Sequence, residues 1–195
     1  MKNIIPEHKA GTQTNTESSV ELTTEREAKQ FFQTVKKRLL NVNDWHDLTG
    51  AATADFQLTD EKGNPVNREA REGDHFKIDI PGPGSVAGNG SDWVQIEIIE
   101  EDEDYIGIRV HPVTDPTNER KDVAHFFNDT STSSFVVKRE NKKITAGVYG
   151  RNEKPNTDTE TVVDAIRNIS IAAGAISGFS KLQWKSLVDG FVKKN

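Results

Sequence analysis

A chain of 195 residues with 33% hydrophobic content has room for one ordinary domain with a buried core, and its net charge is -6. That charge argues against a general binder of nucleic acid or of anionic membranes, both of which call for a basic surface. No apolar run approaches the roughly 20 residues needed to span a bilayer, and zero cysteines exclude disulfides, thiolate metal ligands and a cysteine nucleophile.

In chain order, residues 1–18 are rich in Thr, Asn, Ser and Glu and read as a disordered arm. Removing residues 1–16 is therefore expected to leave the melting temperature nearly unchanged. The same stretch lacks the apolar core of a signal peptide, so the expected location is the cytoplasm. One domain is expected over residues 19–195. It opens with a short strand in SSVELT and continues as a helix in TEREAKQFFQTVKKRLL. That helix has a capping box from Thr24 to Glu27 and an inward stripe of Ala28, Phe31, Phe32, Val35 and Leu39. NVNDWHDLTG ends it.

Segment after segment then alternates apolar and polar residues, the pattern of antiparallel strands with one buried and one wet face. The inward sets are Ala54, Phe56 and Leu58; Phe76, Ile78 and Ile80; Val94, Ile96 and Ile98; Ile106, Ile108 and Val110; Phe135 and Val137; Ile144, Ala146 and Val148. DEKGN, EEDED, DPTN and RENKK carry turn chemistry between them. After Pro155 a second capping box, Thr157 to Glu160, starts a helix. Its stripe of Val162, Ile166, Ile169, Ala173 and Ile176 is expected to face the sheet, and a third box, Ser180 to Gln183, marks a possible break near Gly178. The fold class expected is α+β, a curved, mostly antiparallel sheet of about seven strands in β-α-β6-α order gripping a long C-terminal helix.

That order, from about Val20 to Phe191, resembles the START-like helix-grip superfamily, which includes polyketide cyclases and pollen-allergen-like ligand carriers. NVNDWHDL, with Trp45, is similar to a short Trp-containing turn found in many members. The resemblance implies a cavity for an apolar molecule between sheet and helix. It does not imply a reaction, because such folds host carriers, cyclases and regulatory modules alike.

The remaining motifs point away from catalysis. In PGPGSVAGNG the glycines precede Ser91, Asp92 and a strand, not a helix, so the loop lacks the helix N-terminus that a phosphate site uses. It reads as a wide connection that would act as a lid at the mouth of a helix-grip cavity. His46, His75, His111 and His125 show no metal-ligand spacing and read as surface or turn residues. Glu100 to Asp104 reads as a solvated hairpin turn, Lys138, Arg139, Lys142 and Lys143 as the solvated edge of the next hairpin, and GRNEKPN as a polar strand-to-helix link. No nucleophile elbow is present. The inward strand faces offer no titratable group to a reaction.

The function expected is non-enzymatic binding of an apolar small molecule or lipid-like metabolite, with no cofactor or metal. Its wall would be Phe76, Ile78, Ile96, Ile108 and Val148 from the strands and Ile166, Ile169, Ala173 and Ile176 from the last helix. Two alternatives stay open: a protein-interaction module with a filled core and a partner docked on Trp93, Tyr105 or Trp184, and a cyclase- or hydrolase-like enzyme with polar groups on loops. Oligomeric state, ligand identity and whether the cavity is open or filled are not fixed by the sequence.

Overall fold

Thr24 sits in extended backbone ahead of the first helix, and its hydroxyl accepts the amide of Glu27. The Glu27 carboxylate in turn accepts the amide of Thr23, just ahead of the cap, so the two side chains hold the helix start from both sides. Helix α1 (Glu25–Leu40) runs from that cap and buries Ala28, Phe32, Val35, Leu39 and Leu40. The structure is a computed structural model, and it describes residues 4–49, 54–79, 85–159, 162–177 and 179–194.

Around α1 lie β1 (Thr12–Glu21), a short turn into α2 (Trp45–Thr49), β2 (Asp55–Thr59), β3 (His75–Asp79), β4 (Asp92–Asp102), β5 (Tyr105–Pro112), β6 (Thr132–Glu140) and β7 (Lys143–Glu153). Helices α3 (Val162–Ser177) and α4 (Phe179–Val192) follow. The seven strands form one antiparallel sheet in the order β1-β7-β6-β5-β4-β3-β2. The chain therefore has the helix-grip fold, a curved sheet with helices on one face. Helix α3 ends at Ser177 and α4 begins at Phe179; Gly178, where the third capping box raised the question of a break, lies outside the described residues. Among the described residues, no helix is long and apolar enough to cross a membrane.

The inward sets are confirmed for β2, for the Phe76 and Ile78 of β3, for Val94 and Ile96 of β4, and for β5, β6 and β7; Ile80 lies outside the described residues. Ile98 is a correction. A bulge between Ile96 and Ile98 shifts the register, so Ile98 faces Arg109 on the outer side while Ile99 faces Ile108 and packs on the core.

The N-terminus is a larger correction. Strand β1 starts at Thr12, not at Ser18, because residues 12–21 pair along β7. Upstream of it, Ile4 is 2% exposed. The acidic turn between β4 and β5 is a hairpin turn as expected, but it is tied down: Glu101 and Glu103 pair with Lys36 and Lys29 of α1, and Asp104 pairs with Arg139. Arg139 is thereby buried, not part of a solvated edge.

Candidate functional site: the helix-covered face of the sheet

Trp45 is the centre of the apolar part. Its ring lies 4.8 to 5.8 Å from those of Phe135, Phe56, Phe76 and Phe191, mostly edge to face, and its indole N–H donates to the carbonyls of Arg38 and Leu39 at 3.1 and 3.2 Å. A buried Trp needs such a partner for its polar edge. Phe76, Ile78, Ile96, Ile108 and Val148 are all buried on this face, in one cluster with Trp45, Leu187, Val188 and Phe191.

Helix α3 is oriented opposite to expectation. Ile166 and Ile169 are 62% and 49% exposed, whereas Asp164, Arg167 and Asn168 are buried. Neither isoleucine lines the interior; the side chains of Ala173 and Ile176 lie outside the described residues. The reason is electrostatic. Arg167 donates to both carboxylate oxygens of Asp92 on β4, at 2.6 and 3.2 Å, with both side chains almost fully buried. Arg167 also reaches Asn168, which donates to the carbonyl of Asn156, and Asn156 in turn donates to the carbonyls of Val123 and His125. A buried charge is tolerated only with such complete pairing, so the pair dictates which face of α3 turns inward.

The Asp164 carboxylate accepts the consecutive amides of Val86 and Ala87 at 2.9 and 3.1 Å. The glycine-rich segment therefore does cradle an anion, and the anion is the protein's own. Its described half, residues 85–91, is further fastened by Gly90 to Ser85 and by Asn118 and Asn89 contacts, so it is an anchored turn. Pro81 to Gly84 lie outside the described residues.

His125 is buried, not a surface residue. Its Nδ1 accepts the amide of Phe127 at 2.9 Å, its ring stacks on Phe126 at 4.3 Å, and burial pushes its pKa down to about 4. A neutral imidazole whose lone pair already holds an amide is a poor base. His75 and His111 do point to the outer face, flanking Gln95 across three strands, but His75 is buried there. Burial lowers the pKa of both. His46, half-exposed, lies 2.8 Å from Asp55. Among the described residues no cluster of three or more His, Cys, Asp or Glu could hold a metal ion.

The polar group that sequence reasoning missed is Glu153. Thr12 pairs with Glu153 and Thr14 with Gly150, so β7 carries one extra residue at this point, and Asn152 adopts a left-handed φ of 57°. The bulge turns Glu153 to the helix-covered face, where its carboxylate folds over Gly150; a Cβ at position 150 would collide with Glu153 Oε1 and Thr14 Oγ1. Thr14 donates to Oε1 at 3.3 Å, while Oε2 is buried without a partner. Burial pushes the carboxyl up to about 7. The one sequence signal for this turn was Gly150 close to Asn152, two residue types suited to a bulge.

No family model matches this chain, and no curated protein does. Among solved structures, the hypothetical protein jhp0584 from Helicobacter pylori is similar at a TM-score of 0.54 and 14% identity, over 98% of this chain and 92% of that one. This likeness shows the fold alone. Ginseng major latex-like protein 151 from Panax ginseng matches at a TM-score of 0.38 and 10% identity, over 85% of this chain and 96% of that one. Ara h 8.0201 matches at 0.34 and 14%, over 90% and 99%.

Proposed function

We propose that the chain is a cytoplasmic, non-enzymatic binder of an uncharged, largely apolar small molecule, held between the sheet and the C-terminal helices. The observation that carries this reading is the unpartnered, buried Oε2 of Glu153 on the helix-covered face, since a buried polar atom without a partner costs free energy that a ligand's hydrogen bond would recover. A carboxyl with a pKa of about 7 is substantially protonated at neutral pH and can donate to a ligand carbonyl or hydroxyl. In this reading Ile78, Ile96, Ile108 and Val148 form the apolar wall, with Phe76 shared between the wall and Trp45. Ile166 and Ile169 leave the set because they face solvent. Of the anchors named for an interaction module, Trp93 is buried, while Tyr105 and Trp184 are partly exposed.

The test is titration with an uncharged apolar fluorophore, alongside native mass spectrometry of the purified protein for a bound small molecule. Wild type is expected to bind the fluorophore saturably, and Val148→Trp to abolish that binding with little loss of stability, because a cavity accepts added volume that a packed core does not. If wild type binds no probe and Val148→Trp costs roughly 1–3 kcal/mol, the interior is filled and the reading fails.

A further inference from the structure

The turn that fastens the start of α3 carries a chemical lability of its own, independent of any ligand in the interior. Within residues 85–91, Asn89 has a φ of 50° and Gly90 a φ of 100°. Asparagine is among the few residues that tolerate the left-handed region, and glycine alone enters it freely, so two successive positive φ values select an Asn-Gly pair. Asn89–Gly90 is the only such pair in the chain. It is also the pair whose asparagine amide is easiest to lose, because no side chain on the second residue hinders its nitrogen from reaching the asparagine Cγ. Both residues are exposed, and a Cβ on Gly90 would find nothing within 4 Å, so water has free access. The closed turn holds the reacting groups elsewhere: the Gly90 amide donates to the Ser85 carbonyl at 2.7 Å, and Asn89 Nδ2 donates to Asp115 Oδ2 at 3.0 Å. Reaction therefore waits on opening of the turn.

The product does not fit back. Asp115 is 2% exposed; its Oδ1 accepts the amide and hydroxyl of Thr117, and its Oδ2 accepts Asn118 as well as Asn89. An aspartate at position 89 would set a second carboxylate where Nδ2 now donates, and two carboxylates sharing one site cannot both stay ionised without repulsion. Asn118 links that contact to the rest of the turn, since it also donates to the Ala87 carbonyl at 3.0 Å. The amides of Val86 and Ala87 are the two that hold Asp164 of α3. We propose that Asn89 is a deamidation site, and that loss of its amide acts as a one-way latch that frees residues 85–91 and, with them, the start of α3. In the opened turn hydroxide takes the Gly90 amide proton, the nitrogen attacks Asn89 Cγ, and the Cγ–Nδ2 bond breaks, its electron pair leaving on ammonia with a proton from water. Water then opens the cyclic imide at either carbonyl, giving aspartate or isoaspartate at position 89.

The test begins with the full wild-type chain, folded and held at mildly alkaline pH, and follows each asparagine by peptide mapping. Conversion to aspartate and isoaspartate should be fastest at Asn89 and should quicken as pH rises. Hydrogen exchange then reads the latch. In Asn89→Asp, and equally in wild-type molecules aged until deamidated, the Val86 and Ala87 amides should exchange at least about tenfold faster than in fresh wild type, while the amides of α1 keep their protection. Adding Asp115→Asn to Asn89→Asp restores one carboxylate facing one amide and should return most of that protection. Conversion at Asn89 no faster than at the other asparagines overturns the proposal. So does unchanged exchange at Val86 and Ala87 in both the variant and the aged protein, or a double variant protected no better than Asn89→Asp alone.

Discussion

Glu153 and His125 are both buried, and burial moves them in opposite directions. The folded pKa of Glu153, about 7, is above its ordinary 4.5, so folding favours the neutral acid. Its contribution is fully present below pH 4.5 and is lost as pH rises through 7. The folded pKa of His125, about 4, is below its ordinary 6.5, so folding favours the neutral base; that contribution is present above pH 6.5 and is lost as pH falls toward 4. Each difference corresponds to about 3 kcal/mol, and over the shared window the two slopes oppose. His75 and His111 add to the His125 side, since burial lowers them too. Glu153→Gln removes one slope. The variant should be more stable than wild type at pH 8 by up to about 3 kcal/mol, with the gain shrinking toward pH 5, as read from urea midpoints. An identical pH dependence in both proteins would mean that the carboxylate is ionised and paired.

Among the elements, α1 and α3 show what periodicity does and does not contain. The cap and inward stripe of α1 were legible because Thr24, Glu27, Phe32, Val35 and Leu39 act within one helix and its nearest neighbours. Thr24→Ala should cost about 1 kcal/mol of stability, measured by thermal melting, and a change within error would show that the cap is idle. On α3, Ile166 and Ile169 form an apolar stripe, but Asp164, Arg167 and Asn168 form another at the same helical spacing, and a periodicity does not say which stripe turns inward. That was decided by Asp92, 75 residues away. Arg167→Met leaves Asp92 buried without its partner and should cost about 3–5 kcal/mol, whereas Arg167→Met with Asp92→Leu should be close to neutral. Urea unfolding of the two variants separates the outcomes; equal losses would mean that the pair does not seat the helix.

At the scale of the whole molecule, the strand count, the antiparallel order and most inward residues were legible, because alternation repeats along every strand and a one-residue slip would expose a whole apolar set. The misreadings sit where the period breaks or where no period exists. A bulge reversed the face expected at Ile98, and a second one brings Glu153, read from the sequence only as part of a polar link, onto the helix-covered face. The segment around Ile4 has neither alternation nor helical spacing, and its value lies in the opposite side of the sheet. Gly107 and Ser134 stand at outward positions that ordinary strand reading assigns to water, and only the folded sheet shows that the N-terminus covers them. Residues 1–16 therefore cannot be removed at no cost. Ile4→Ala deletes a fully buried side chain and should cost about 2–5 kcal/mol. In a chain of this length each kcal/mol shifts the melting temperature by about 2–4 °C, so calorimetry should record a fall of roughly 4–20 °C. The same substitution should speed hydrogen exchange at the Lys9 and Ala10 amides, which donate to Asn152 Oδ1, because they share one segment with Ile4. A melting temperature that does not move would return residues 4–10 to the status of a passive arm.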